Sequence, residues 1–294
     1  MRNVTSQIQP RQSAASWLGL ALCVAVASGS ALQRLVPNGP DAGQVVASPE
    51  WLPLAAAIVA GAGTVPLDGW PLWLRVRPAL RWSGLLLMVW AANGLPFDVL
   101  TAAGLIGRRT ASGEIVMASV YWPGLVTRAF ALGAAVVLAR LVLARREPAS
   151  RRPATWYGYA AFVLALPYPV LRLHWALGGT LGLATPGAAG VGWEPLLIAI
   201  PFVLAAVLSL LLVQTPGWMP RRLLLLGGWT ATGIVAMIGP AAAWSFLSTV
   251  VSGGDTGSGD IAFWVFGLFY GSWFLWAIAG AAATRSYQLR SRPA

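Results

Sequence analysis

The stretch of this sequence richest in polar chemistry runs from Pro167 to Gly179, Pro-Tyr-Pro-Val-Leu-Arg-Leu-His-Trp-Ala-Leu-Gly-Gly. It holds the only histidine of the chain, His174, together with Arg172. A guanidinium binds anions, and an imidazole accepts protons or binds metals. Two interpretations stay open. One is an anion or lipid-headgroup site capped by a Gly178-Gly179 turn. The other is an arginine reaching the membrane interface beside a histidine with a structural hydrogen bond.

Three further ionisable residues, Asp98, Arg128 and Glu194, lie in or beside apolar stretches. An arginine inside a bilayer is costly and usually faces a partner or a cavity. Asp98, Glu50 and Glu194 are therefore candidate partners of Arg128, and a buried structural ion pair is the alternative to a functional role. Together with Arg172 and His174, these residues form a predicted ligand-binding set in the outer half of the membrane.

Little else in the sequence suggests catalysis. The single cysteine, Cys23, excludes an intramolecular disulfide and any site that needs several cysteines. One histidine excludes a His-cluster metal site, and there is no phosphate-binding Gly-Lys loop and no Ser-His-Asp set. We predict no cofactor, no metal and no catalytic residue. A membrane enzyme that uses His174 as a general base, oriented by Glu194, is a weaker alternative.

Composition places these residues in a membrane. Of 294 residues, 57% are hydrophobic and only 10% are charged, whereas a typical soluble domain carries about 25% charged residues. The formal net charge is +11, and every basic residue is an arginine. Because the arginines are spread between apolar segments instead of forming one patch, they indicate membrane topology and not nucleic-acid binding.

Eight apolar stretches are long enough to cross the roughly 30 Å apolar core of a bilayer. They are 14–33, 51–68, 82–100, 116–142, 156–175, 193–214, 223–246 and 261–284. If the N-terminus is cytoplasmic, most arginines flank the spans on the inner side, and only Arg34, Arg108 and Arg109 lie outside. Such a bias predicts that both termini are cytoplasmic. Two tryptophans, Trp273 and Trp276, fall in the middle of the last span and are interpreted as packing residues.

The predicted topology also indicates how deep in the membrane Arg172 lies. It lies sixteen residues past Trp156, about 24 Å along a regular helix, and hence near the outer interface. Pro167 and Pro169 predict a kink before it, because each lacks an amide proton and clashes with the preceding turn. Arg172 and His174 lie about 200° apart around a regular helix, so they need not share one face.

The sequence repeats itself. Trp-Leu-Pro-Leu at 51–54 recurs as Trp-Glu-Pro-Leu at 193–196, and Gly-Ala-Ala recurs at 133–135 and 280–282. The arginine-rich stretch 144–154 between the copies has the character of a cytoplasmic linker. Four spans per copy is an even number, so both copies enter the membrane in the same direction. We predict an all-α integral membrane fold of two parallel four-helix repeats, 1–147 and 148–294.

The segment from His174 to Gly179, His-Trp-Ala-Leu-Gly-Gly, is followed by an apolar span, an Arg-Arg turn and a final span after Asp260. This order resembles an uncharacterised four-helix bacterial membrane family, marked by a His-x-Trp-Ala-x-Gly-Gly-like motif at the end of its first helix. The resemblance covers about 156–284, although here no residue separates His174 from Trp175. It implies a four-helix membrane domain and no known activity.

Taken together, these features favour a non-enzymatic, multi-pass protein of a bacterial cytoplasmic membrane, since abundant arginine, alanine and glycine without lysine suit a high-GC bacterium. We predict that it binds or moves a lipid or small amphipathic ligand through an outward-facing polar cavity. The alternative is a structural or accessory subunit with a membrane-protein partner. The predicted partners are thus the lipid bilayer and a lipid or small-molecule ligand, and not nucleic acid.

Overall fold

A computed structural model describes residues 5–35, 49–65, 70–104, 107–109, 115–117, 120–143, 154–184, 194–251 and 261–291. Within these ranges the fold is all-α apart from one pair of short strands, and the sequence predicts an all-α fold. The chain forms two compact units, Met1–Ser150 and Arg151–Ala294, called unit 1 and unit 2 below. That the units are repeats of one sequence, divided at 147, stays a prediction.

Unit 1 is built from helical segments that neighbour one another in a closed cycle. They are α1 (Thr5–Leu35), α2 (Leu52–Thr64), α3 (Pro71–Ala91), α4 (Leu95–Ala102) and α5 (Trp122–Leu143). The first helix packs against α2 and α5, α3 also packs against α2 and α5, and α4 lies beside α5. Strand β1 (Gly107–Arg109) pairs antiparallel with β2 (Ile115–Met117). The predicted span 116–142 is therefore wrong at its start, because a short apolar run does not distinguish strand from helix.

Unit 2 has a related arrangement. Its helices are α6 (Trp156–Ala165), α7 (Pro167–Ala176), α8 (Glu194–Gln214), α9 (Arg221–Val251) and α10 (Phe263–Arg290). The last helix packs against α6 and α9, and α8 packs against α6 and α7. The contact between α8 and α9 is slight, whereas α2 and α3 in unit 1 contact each other extensively.

In the described part of each unit, one helix is interrupted. In unit 1 the break lies between α3 and α4, where Gly94 has a left-handed φ of 88° just before Pro96. In unit 2 it lies at Leu166, between α6 and α7, as the two prolines predict. The second parts, α4 with 8 residues and α7 with 10, are called half-helices below. Each half-helix carries candidate site residues.

Five helical segments among the described residues are long and apolar enough to cross a membrane: Ala14–Leu35, Pro71–Ala102, Trp122–Leu143, Arg221–Val251 and Phe263–Arg290. The chain is thus a multi-pass membrane protein by helix length and composition. The other predicted spans coincide with shorter elements. The α2 helix has 13 residues, about 20 Å; α6 and α7 divide one span; and α8 has its apolar part at Ala199–Gln214. An eight-span topology stays a prediction.

In each unit, an arginine side chain donates a hydrogen bond to a carbonyl group in the last turn of an apolar helix. In unit 1, Nε of Arg81 donates a hydrogen bond to the carbonyl oxygen of Gly63 in α2, at 2.9 Å. In unit 2, Nη2 of Arg290 donates to the carbonyl oxygen of Leu212 in α8, at 2.7 Å. The final carbonyl groups of a helix lack intrahelical partners and carry partial negative charge, so a guanidinium stabilises them.

Candidate functional site

The charged pair of unit 1 joins the half-helix α4 to α5. Nη1 of Arg128 donates a hydrogen bond to Oδ2 of Asp98, at 2.7 Å. The side chain of Asp98 is 2% exposed and that of Arg128 is 15% exposed. Asp98, one of the three partners that the sequence offers to Arg128, is therefore in contact with it. An arginine inside the apolar part of the chain has its charge balanced within its own unit.

Local geometry places Asp98 at the start of α4. The left-handed φ of Gly94 turns the chain, and α4 begins at Leu95 with Pro96 in its first turn. A carboxylate in the first turn of a helix is stabilised by the helix dipole. On α5, Gly124 leaves space for the guanidinium, since a Cβ added there would lie 3.3 Å from Nη1 of Arg128. Sequence and backbone therefore both favour the pair.

Arg172 in unit 2 is held differently. Its guanidinium carbon lies 5.0 Å from the ring centre of Tyr168 and 5.4 Å from that of Trp175, within the range of cation–π attraction. Its Nε is buried and has no hydrogen-bond partner among the described residues. The described side chains of unit 2 include no carboxylate, because those of Glu194, Asp255 and Asp260 lie outside the described set.

The two rings beside Arg172 belong to a larger group of aromatic side chains, called the aromatic cluster below: Tyr168 and Trp175 from α7, Phe202 from α8, and Phe269 and Trp273 from α10. The ring centres of Tyr168 and Phe202 lie 4.3 Å apart, and those of Phe202 and Trp273 lie 4.9 Å apart and are stacked. The cluster joins three helices of the unit and fixes the rings on which Arg172 lies.

His174 closes a turn at the end of α7. Its Nε2 accepts a hydrogen bond from the amide of Leu181, at 3.2 Å, so in this arrangement the ring carries its proton on Nδ1. Gly178 has φ of 87°, which suits glycine at a helix end. A Cβ at Gly179 would overlap the imidazole ring. Trp175 completes the turn, because its Nε1 donates to the carbonyl oxygen of Leu181, at 2.8 Å.

The predicted ligand-binding set is thus divided between the units. Asp98 and Arg128 contact each other in unit 1. In unit 2, Arg172 contacts rings of α7, whereas His174 binds the amide of Leu181 beyond the end of that helix. Glu194 begins α8, but its side chain lies outside the described set. A single site formed by all five residues stays a prediction.

The burial of some polar groups is not evident from the sequence. Arg77 and Arg81, 5% and 3% exposed, lie on one face of α3, although the predicted span begins only at 82. The proline at 71 is the signal that could have extended the helix, since proline is favoured in a first helical turn. The indole nitrogens of Trp273 and Trp276 are buried and have no hydrogen-bond partner among the described residues. No periodicity reveals that property.

No group of three or more metal-ligating side chains occurs among the described residues. Fold and contacts together define a class, a multi-pass helical membrane protein with a paired arginine in one unit and an aromatic-bound arginine in the other. No family model, curated protein or solved structure matches the chain. The resemblance of 156–284 to a four-helix bacterial membrane family therefore stays a prediction.

Proposed function

We propose that the protein binds an amphipathic ligand through an anionic oxygen group, a phosphate or a carboxylate, at Arg172 in unit 2. The observation that carries the proposal is the buried Nε of Arg172, which has no acceptor in the described part of the chain. A buried donor left without a partner costs about 1–3 kcal/mol, and more when it is charged. A ligand oxygen at this position would recover that free energy.

The surroundings of Arg172 favour a ligand that is apolar elsewhere. On α7 and at its C-cap, Val170, Leu173 and Leu177 are 57%, 49% and 80% exposed, and they form a stripe on the outer surface of the helix. In a membrane such a stripe contacts acyl chains. A lipid could therefore place its headgroup oxygen on Arg172 and its acyl chains along this stripe. A guanidinium pairs favourably with a phosphate group.

The proposal keeps the topology predicted from sequence: eight spans, two parallel repeats, both termini in the cytoplasm of a bacterium, and a polar cavity opening outward. The order of neighbouring helices supports the duplication, because α1, α2, α3 and α5 in unit 1 form the same cycle as α6, α8, α9 and α10 in unit 2. With this topology Arg172 lies near the outer interface, and the ligand enters from the outer leaflet.

Binding to the purified protein tests the proposal. Wild type, Arg172→Ala and Arg172→Lys are placed in phosphatidylcholine nanodiscs containing increasing phosphatidylglycerol, and bound lipid is counted by native mass spectrometry. Arg140→Ala is the matched control, since Arg140 is an exposed arginine near the end of α5. We expect Arg172→Ala to lower the affinity for phosphatidylglycerol at least about tenfold, the size expected when a charged hydrogen bond is lost.

Each outcome is decisive. Equal binding by wild type and Arg172→Ala rejects the site, and loss of binding in Arg140→Ala as well would show a general charge effect. Competition by inorganic phosphate would identify a free anion as the ligand. A stoichiometric protein partner in every preparation, with no bound lipid, would favour the accessory-subunit alternative.

A further inference from the structure

We infer that unit 2 contains a second, deeper position for the same anionic oxygen group, formed by the indole N–H groups of Trp273 and Trp276 on α10. The inference rests on the proposed function, which it extends from binding at one residue to passage between two positions. Both indole nitrogens are buried, and neither donates a hydrogen bond to any described residue.

Two other indole N–H groups of the described chain have acceptors within it. Nε1 of Trp175 donates to the carbonyl oxygen of Leu181, and Nε1 of Trp73 donates to that of Val65, at 3.3 Å. Buried tryptophans usually find such an acceptor. Two unbonded indoles one turn apart on a single helix therefore indicate a position whose acceptor comes from outside the chain.

The two indoles continue a line of donors that begins at Arg172. The ring centre of Trp273 lies 5.3 Å from that of Tyr168, the ring on which the guanidinium lies. Trp276 follows three residues later, a rise of about 4.5 Å, and packs against Ala161 and Ala165 of α6. In the predicted topology this order leads from the outer interface toward the middle of the membrane.

The chemistry of the line selects its occupant. Guanidinium and indole N–H groups donate hydrogen bonds and accept none. No carboxylate accompanies them among the described side chains of unit 2. A phosphate or carboxylate oxygen would therefore find N–H donors along this line. The indoles carry no charge, so they would hold the anion less strongly than Arg172 and allow it to return.

The matched control lies on the same helix. Trp264 is 50% exposed on the outer surface of α10, so its indole faces lipid whether or not a ligand is bound inside the unit. Replacement of tryptophan by phenylalanine removes the N–H group and keeps most of the ring. The variants Trp273→Phe, Trp276→Phe and Trp264→Phe each delete one indole signal from a ¹H–¹⁵N spectrum of ¹⁵N-tryptophan-labelled protein, and this deletion assigns the signals.

The assigned protein is then titrated in phosphatidylcholine nanodiscs with increasing phosphatidylglycerol, and separately with inorganic phosphate. We expect the indole proton signals of Trp273 and Trp276 to move downfield with phosphatidylglycerol, while that of Trp264 stays in place. Movement with inorganic phosphate alone would identify a free anion as the occupant. The unchanged signals of the remaining indoles show that each variant keeps its fold.

Failure of this inference differs from failure of the proposed function. If Arg172→Ala loses phosphatidylglycerol but the signals of Trp273 and Trp276 never move, the deeper position is rejected and the site at Arg172 stands. If those signals move and Arg172→Ala binds lipid as wild type does, the site at Arg172 is rejected and the indole position stands alone. If the indole signals do not move and Arg172→Ala binds lipid as wild type does, both proposals are rejected.

Discussion

Arg128 in unit 1 and Arg172 in unit 2 both lie on apolar helices, and their units stabilise them in different ways. Arg128 donates to a carboxylate that is almost completely buried. Arg172 lies on two aromatic rings and keeps a buried nitrogen without an acceptor in the described part of the chain. A charge neutralised inside its unit holds helices together, while a charge resting on rings keeps donors available. The acceptor, more than the depth of burial, distinguishes the two roles.

The two arginines also share a feature. Asp98, the partner of Arg128, lies on the half-helix α4, and Arg172 lies on the half-helix α7. Membrane transporters commonly place polar groups on interrupted helices, because a break exposes backbone groups and turns side chains inward. Here the break follows α3 in unit 1 and α6 in unit 2, so the two half-helices do not occupy corresponding positions in the predicted repeat.

The largest difference between the units should appear when a charge loses its partner. Asp98→Ala leaves the guanidinium of Arg128 buried without its carboxylate, which should lower the free energy of unfolding by about 3–5 kcal/mol. Arg172→Ala removes the contacts of the guanidinium with Tyr168 and Trp175 but leaves no charge without its counter-charge among the described residues, so it should cost about 1 kcal/mol, the scale of a cation–π contact. Denaturant unfolding in detergent micelles measures both. Equal losses would contradict the comparison.

A double variant sharpens this result. Asp98→Leu with Arg128→Met removes both charges and retains apolar volume, so it should recover most of the stability that Asp98→Ala loses. If the double variant unfolds as readily as the single variant, the pair contributes packing and not charge compensation.

A smaller difference should follow from helix packing. A Cβ at Gly84 on α3 would lie 2.6 Å from Cα of Ala60 on α2, and Gly84→Ala should therefore cost about 1–3 kcal/mol. Gly233 occupies α9 in unit 2, where an added Cβ meets nothing within 4 Å. Gly233→Ala should be neutral or stabilising by up to about 1 kcal/mol, because alanine favours the helix. Thermal unfolding of both variants in micelles tests the contrast.

The smallest expected effect separates two neighbours on α7. His174→Ala removes the acceptor of one exposed amide hydrogen bond, which should cost about 0.5–1.5 kcal/mol. It should leave phosphatidylglycerol binding as in wild type, whereas Arg172→Ala should lower the affinity at least about tenfold. Native mass spectrometry of both variants in the same nanodiscs provides the measurement. A loss of lipid in His174→Ala would return this histidine to the ligand site.

Part of this site can be predicted from the sequence. Apolar run lengths predict an all-α membrane fold, and the scarcity of acidic residues makes Asp98 a candidate partner for Arg128. The prolines at 167 and 169 predict the interruption before Arg172. These inferences succeed because they depend on local chemistry or on a short list of charges.

Other features depend on neighbours that are distant in the chain. The hydrogen bond from Arg81 to the last turn of α2 requires α3 to pack beside α2. Whether the indole nitrogens of Trp273 and Trp276 have acceptors depends on the groups that pack around them. The sequence alone does not distinguish a tryptophan with an acceptor from one without. Such features follow from tertiary packing and have no signature in periodicity or spacing.

The turn at the end of α7 has a consequence for comparing sequences. Each unusual residue from His174 to Gly179 is explained by backbone geometry: the histidine accepts the Leu181 amide, the tryptophan donates to the Leu181 carbonyl, one glycine has positive φ and the other leaves space for the imidazole. A genome search with this motif would therefore retrieve chains that end a helix in the same way. Shared chemistry would be traced better through the arginine two residues earlier and the tryptophans of the last helix.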